Sequence, residues 1–251
     1  NAGHGINIVQ GNAAIGNVSI HNNGGEGLRY QPGSFGLELT SADSTNPAFT
    51  AVSGTFTGGI PGNAYRFTFF GNGGGGQFEA YLATETHIAD ANGIVNFTAL
   101  IPACGLQEIR AIAEIPDELQ GIVALSEGVA NNRPPVIQIT NTNGSGPGSI
   151  VAAFTAAANT PGPEVILLNI PGTGFVDITP TQPLIPMFGL NNNVLFEGRG
   201  QGFGSVVPRS YINVNNGLGT FNANENNTVA GIAFFNVSGR AFDAVNGNNT
   251  L

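Results

Sequence analysis

The chain has 251 residues, room for one large domain or two moderate ones. Apolar residues make up 41% and charged residues only 9%, with net charge −9, no lysine, no tryptophan and 38 glycines. This balance argues for a loop-rich all-β protein with a real core. It disfavours nucleic acid, because no basic patch is present to neutralise phosphates, and no apolar run is long enough to insert in a membrane as a helix.

From the N-terminus, Gly3–Asn12 (GHGINIVQGN) and Gly25–Gly33 (GEGLRYQPG) share a Gly-x-Gly start followed by a short alternating apolar run. The same shape, with Ala in place of the second Gly, returns at Gly239–Asn248 (GRAFDAVNGN). Gly3 and Gly25 lie 22 residues apart, as do Gly217 and Gly239. A fixed period of that size with Gly-Asn corners predicts coils of a parallel β-helix, each too narrow to bury its apolar face alone. Ala14–Leu28 also aligns without gaps on Thr228–Phe242. Ile15 falls on Val229, Val18 on Ile232, Ile20 on Phe234 and Leu28 on Phe242, with Asn22 on Asn236 as a candidate side-chain amide ladder.

Between residues 34 and 130 the period changes. Seven alternating runs predict strands at 36–45, 48–58, 64–71, 77–89, 94–102, 107–115 and 122–130, the pattern of an immunoglobulin-like β-sandwich. Asp90-Ala91-Asn92-Gly93 has the chemistry of a hairpin turn. Asn131-Asn132-Arg133-Pro134-Pro135 marks a boundary, since neither proline can donate to a ladder. Over 131–251 the expectation is a β-helix whose first core is closed by one helix at 149–159, capped by Ser149 and ended by Asn159 and Pro161. Strands are predicted at 136–140, 165–170, 174–179, 193–197, 210–214, 228–235 and 240–245.

Asn141–Pro186 carries Gly-Pro-Gly-Ser, an Ala-rich helix and then Asn-Ile-Pro-Gly-Thr-Gly. This stretch resembles the opening of right-handed parallel β-helix modules in large secreted and surface-attached prokaryotic proteins. Phe49–Pro102 is similar to the small β-sandwich that accompanies such modules. The resemblance implies architecture above all, and a family whose roles are adhesive, structural or anchoring. The chain departs from it in lacking the usual long run of coils, having only a short start at one end and a short finish at the other.

Candidate chemistry is sparse. Gly71–Gly76 satisfies a dinucleotide fingerprint formally, but a strand-like run follows where a helix is needed, so a hairpin loop is the better reading. His4 and His21 sit in neighbouring coils without an evident third metal ligand, and corner positions account for them. A polysaccharide lyase or glycoside hydrolase would draw on Asp177, Glu197, Glu225 and Asp243 with Arg199 and Arg209, and stack sugars on Tyr30 and Tyr211. These acids are scattered along the repeat, and solvated surface is their ordinary reading. Cys104, the single cysteine, reads as a small core residue near a strand end, with an intermolecular bridge or a reactive thiol as the alternative.

No cofactor, metal or catalytic residue is expected. The expected function is that of a structural subunit of an extracellular filament or surface layer, assembled by end-to-end stacking with other copies or with adjacent repeats of a longer chain. The interface residues are Ile6, Ile8, Ile15, Val18, Ile20 and Leu28 on one side, and Val229, Ile232, Phe234, Phe242 and Val245 on the other. A surface adhesin presenting the loops at Gly59–Asn63 and Gly71–Gly76 is the first alternative, and the carbohydrate-active enzyme, with a polysaccharide as partner, is the second.

Overall fold

A computed structural model describes residues 3–8, 28–30, 35–46, 48–73, 78, 80–116, 121–160, 162–171, 176–180, 193–199, 210–213, 221–223, 227–235 and 242–244. Two kinds of sheet follow one another in the chain. The first is antiparallel in all but one pairing; every other sheet is parallel.

The antiparallel part is built from β3 (Gly36–Asp43), β4 (Phe49–Thr57), β5 (Ala64–Asn72), β6 (Ala80–Ile88), β7 (Val95–Pro102), β8 (Glu108–Glu114), β9 (Ile122–Leu125) and β10 (Val129–Asn132). They form one eight-stranded, nearly closed sheet in the order β6-β5-β8-β10-β3-β4-β7, with β9 on β8. The alternation read from the sequence is the reason: β7, VNFTALIP, buries every second residue. Leu37, Val52, Phe56, Tyr65, Phe67, Phe69, Phe97 and Ile109 fill the enclosed core. Phe56 meets Tyr65 at 4.6 Å and Phe67 meets Phe97 at 5.0 Å between ring centroids, a chain of tilted aromatics.

Two details depart from expectation. The Asp90–Gly93 turn is there, with the Asp90 carboxylate accepting from the Asn92 and Ile94 amides at 2.8 Å, but β6 and β7 do not form a hairpin. β6 pairs with β5 and β7 with β4, so the turn joins the two open ends of the sheet. Turn chemistry is local, whereas the choice of strand partner belongs to the aromatic core both strands face. The predicted strand 122–130 is split into β9 and β10. Ser126 keeps its own amide on the Ala111 carbonyl at 2.9 Å, but its hydroxyl, not its carbonyl, accepts from the Ala111 amide at 2.7 Å. Past this side-chain substitution β10 continues antiparallel along the same edge of β8, one residue out of register, and its last two residues pair parallel with β3.

The parallel part comprises three sheets. β11 (Val136–Ile139), β12 (Glu164–Leu168), β14 (Val194–Glu197) and β17 (Thr228–Ala230) make the first. β13 (Val176–Ile178), β15 (Ser210–Asn213) and β18 (Ile232–Phe235) make the second, and β16 (Phe221–Ala223) with β19 (Phe242–Ala244) the third. β16 lies in a stretch for which no strand is predicted. The predicted strand 228–235 is two, because Gly231 at φ 69° turns the chain from the first sheet to the second. α1 (Ile150–Asn159) runs as predicted; the Ser149 hydroxyl accepts from the Ala152 amide at 3.2 Å. Its Ile150, Ala153, Phe154 and Ala157 cover the inner faces of Ile139, Ile166, Val194, Phe196 and Val229, with Phe154 edge-on to Phe196 at 5.3 Å.

A further parallel pair lies at the N-terminal end. β1 (Ile6–Ile8) runs beside β2 (Leu28–Tyr30) with Ile6 opposite Leu28, a 22-residue step. The same step sets Ser210 opposite Ile232, and Phe221 stands 21 residues before its partner Phe242. The period read from the glycines appears in these pairs but is not fixed along the chain: Val136 pairs with Val165, 29 residues on, and Val176 with Ser210, 34 on.

Candidate functional site

The most elaborate side-chain network of the described residues is the joint between the eight-stranded sheet and the first parallel sheet. Its centre is the short segment Ala103–Leu106, between β7 and β8. The Cys104 amide donates to the Thr50 hydroxyl at 2.9 Å, and the Cys104 and Leu106 carbonyls accept from Asn131 Nδ2 at 2.8 and 3.0 Å. Asn131 is held in turn by Ser44, whose hydroxyl donates to its Oδ1 at 2.9 Å. These bonds tie the segment to its own sheet.

The opposite side of the segment is held by the parallel sheet. Glu197, at the end of β14 and fully buried, accepts the Gly105 amide on Oε2 at 3.0 Å. Arg199 grips the same carboxylate: Nε and the Arg199 amide both donate to Oε1 at 2.9 Å, and Nη2 donates to Oε2 at 2.6 Å. Arg199 Nη2 also donates to the Ala103 carbonyl, and Arg133 Nη1 to that of Gly105. Four donors saturate the carboxylate, the condition under which a buried pair is tolerable. Burial works against the Arg199 charge, and the Glu197 carboxylate beside it more than offsets this, so the guanidinium is held more firmly protonated than usual.

Residue 105 must be glycine for a spatial reason. A Cβ there would stand 2.5 Å from Val165 Cγ1 and 3.1 Å from Glu197 Cβ. The close approach lets Ala103 pack with Val165 and Leu195 as a small apolar seam beside the ion pair. Beside the joint a cleft of about 460 Å³ runs between Ala48, Pro102 and Ala103 on one wall and Thr228–Ile232 on the other.

This arrangement positions; it does not present a reactive group. Cys104 is completely buried, and burial pushes its thiol up to about 12, so it stays protonated. Glu197, one of the acids considered for sugar cleavage, has its oxygens filled by Arg199 and Gly105. Asp177 is exposed on β13, in a different sheet from Glu197. Glu225 and Arg209 lie outside the described residues, as do the side chains of Asp243, Tyr30 and Tyr211. β6 follows Gly71–Gly76, where a dinucleotide site needs a helix. His4 lies 3.1 Å from Arg29 Nη1, His87 lies 3.1 Å from Glu85 Oε2, and His21 is outside the described residues.

The expected interface residues fall in two separate clusters. Ile8 and Leu28, with Ile6 beside them, pack on Phe78, Ile112 and Ile122, on the outer face of the eight-stranded sheet. Val229, Ile232 and Phe234 belong to the core under α1. Phe242 opens β19; Ile15, Val18, Ile20 and Val245 lie outside the described residues, as do Asn22 and Asn236. The sequence reading missed the joint. Its only sequence trace is an Arg two residues after a Glu at a strand end, a pairing with no motif. Comparison of the chain with protein-family models, curated proteins and solved structures returned no match.

Proposed function

We propose that this chain is a structural unit of an extracellular filament or surface layer, in which β-helix coils stack end to end and an immunoglobulin-like sandwich is clamped to their side. The observation that carries the reading is the order of the parallel strands. β17, β18 and β19 follow one another in the chain, and each is the last strand of its sheet. Such a set is one turn of a coil whose far edge offers backbone N–H and C=O groups to a further rung. β1 and β2, paired parallel at the 22-residue step that β15 and β18 also have, serve as the rung at the other end. The sandwich reading rests on β3-β4-β7 and β6-β5-β8 enclosing one core, with β10 hydrogen-bonded to both β3 and β8.

Because the two ends differ, the contact between units is heterologous, and repeating it generates an open fibre rather than a closed ring. Ile8, Leu28 and Val229 are buried in their own unit, with Ile6, Ile232 and Phe234 partly buried against the same cores. Backbone strand addition, with the rims of those cores meeting, is thus the mode of contact. Electron microscopy and sedimentation of the purified chain over rising concentration test this. Uniform fibres that grow with concentration are expected; dispersed monomers at every concentration would sink the proposal.

A further inference from the structure

Glu164, the first residue of β12, is 1% exposed, and neither carboxylate oxygen has a hydrogen-bond partner among the described residues. It faces the same side as Ile166 and Leu168, into the core that α1 covers, while Val165 faces the joint. Among the described residues, no cation or proton-donating side chain hydrogen-bonds it from the elements packed around it. α1 (IVAAFTAAAN) and β11 (VIQI) carry no titratable residue. On β14 its opposite neighbour is Val194, and Glu197 points to the other face, where Arg199 holds it. β17 is Thr-Val-Ala, and the buried Asn227 before it is neutral and accepts the Val194 amide at 2.8 Å. An ionised carboxylate in such a place loses its hydration with nothing in return, whereas the neutral acid costs far less.

We propose that Glu164 is a pH-operated latch: uncharged in acid, it lets α1 and β12 close on the core, and its ionisation loosens them as the medium becomes neutral. Burial raises the Glu164 carboxyl above its ordinary range. The sign follows from linkage. The closed state holds its proton more tightly than the open or unfolded chain, so the contribution to stability is complete below the unfolded value, about 4.3. It is lost as pH rises from there through the folded value, at about a tenfold change in the closing equilibrium per pH unit within that window.

The test compares the full chain with Glu164→Gln by amide hydrogen exchange over residues 150–168, corrected for intrinsic exchange, and by thermal unfolding from acid to neutral pH. The variant should show stronger protection in α1 than the wild type at neutral pH, the gap closing in acid. Parallel pH curves for the two proteins would overturn the latch, and so would a variant less stable at every pH, which would reveal a partner for the carboxylate. Should the variant fail to fold, the carboxyl-carbon NMR signal of Glu164 in the wild type decides. Titration above the ordinary glutamate range supports the proposal, and titration within it refutes it. Both measurements are made on dispersed protein, so their outcome is independent of fibre formation.

Discussion

At the scale of single residues, the joint depends on groups that are costly when separated. Removing Glu197 would leave the Arg199 guanidinium, whose side chain is 16% exposed, without its counter-charge. Glu197→Ala is expected to cost about 3–5 kcal/mol in chemical denaturation. Replacing Glu197 and Arg199 together with Leu and Met should restore most of it, because two missing charges cost less than one unpaired charge. Equal losses in the single and double variants would show that the pair does not act as a unit. None of this is legible in Glu197-Gly198-Arg199 as text. The partners that saturate the carboxylate include the backbone amide of Gly105, 92 positions earlier.

Among elements, the parallel pair of β1 and β2 shows how a register read from glycine spacing can meet an unexpected neighbour. The 22-residue step was visible in the glycines and appears in the register of β1 and β2. Its apolar side chains settle on Phe78, Ile112 and Ile122, positions that a two-sided strand pattern offers without saying what will cover them. β8 signals this, since its C-terminal half is buried on both faces rather than alternating. Truncating Leu28 to Ala should weaken this contact by about 2–5 kcal/mol. The expected readout is faster proteolytic release of the first thirty residues, while unfolding of the eight-stranded sheet stays unchanged. Unfolding of both together would show that the pair is integral to that sheet's stability.

For the whole molecule, the proposed stacking relies on strand edges and apolar rims in a chain that carries few charges and no lysine. Raising the ionic strength from about 0.1 to about 1 M shortens the screening length from about 10 to about 3 Å. Fibre yield should hold or rise over that range, because the net charge of −9 repels like units at low salt. A steep fall with salt, measured by sedimentation, would mean that ion pairs rather than backbone edges join the units. The joint gives stacking a further consequence, since the eight-stranded sheet is fixed to the first parallel sheet by Arg133, Glu197 and Arg199 and not hung on a linker. Pro134 and Pro135 read as a boundary, yet Arg133 beside them bonds back to Gly105.

The amino-acid sequence by itself determined what depends on short-range periodicity: strand positions by alternation, α1 by its cap and alanines, the 22-residue register of β1 on β2 by glycine spacing. Those signals are local because the φ/ψ preferences and the two-residue pleat that produce them are local. Tertiary structure alone decided partners. It placed β6 on β5 instead of β7, turned 228–235 at Gly231 into strands of two sheets, and closed Gly105 against Val165. It also left Glu164 enclosed with no hydrogen-bond donor among the described residues. Each of these is set by which surfaces remain to be buried once the core is filled, a quantity summed over residues distant in the chain.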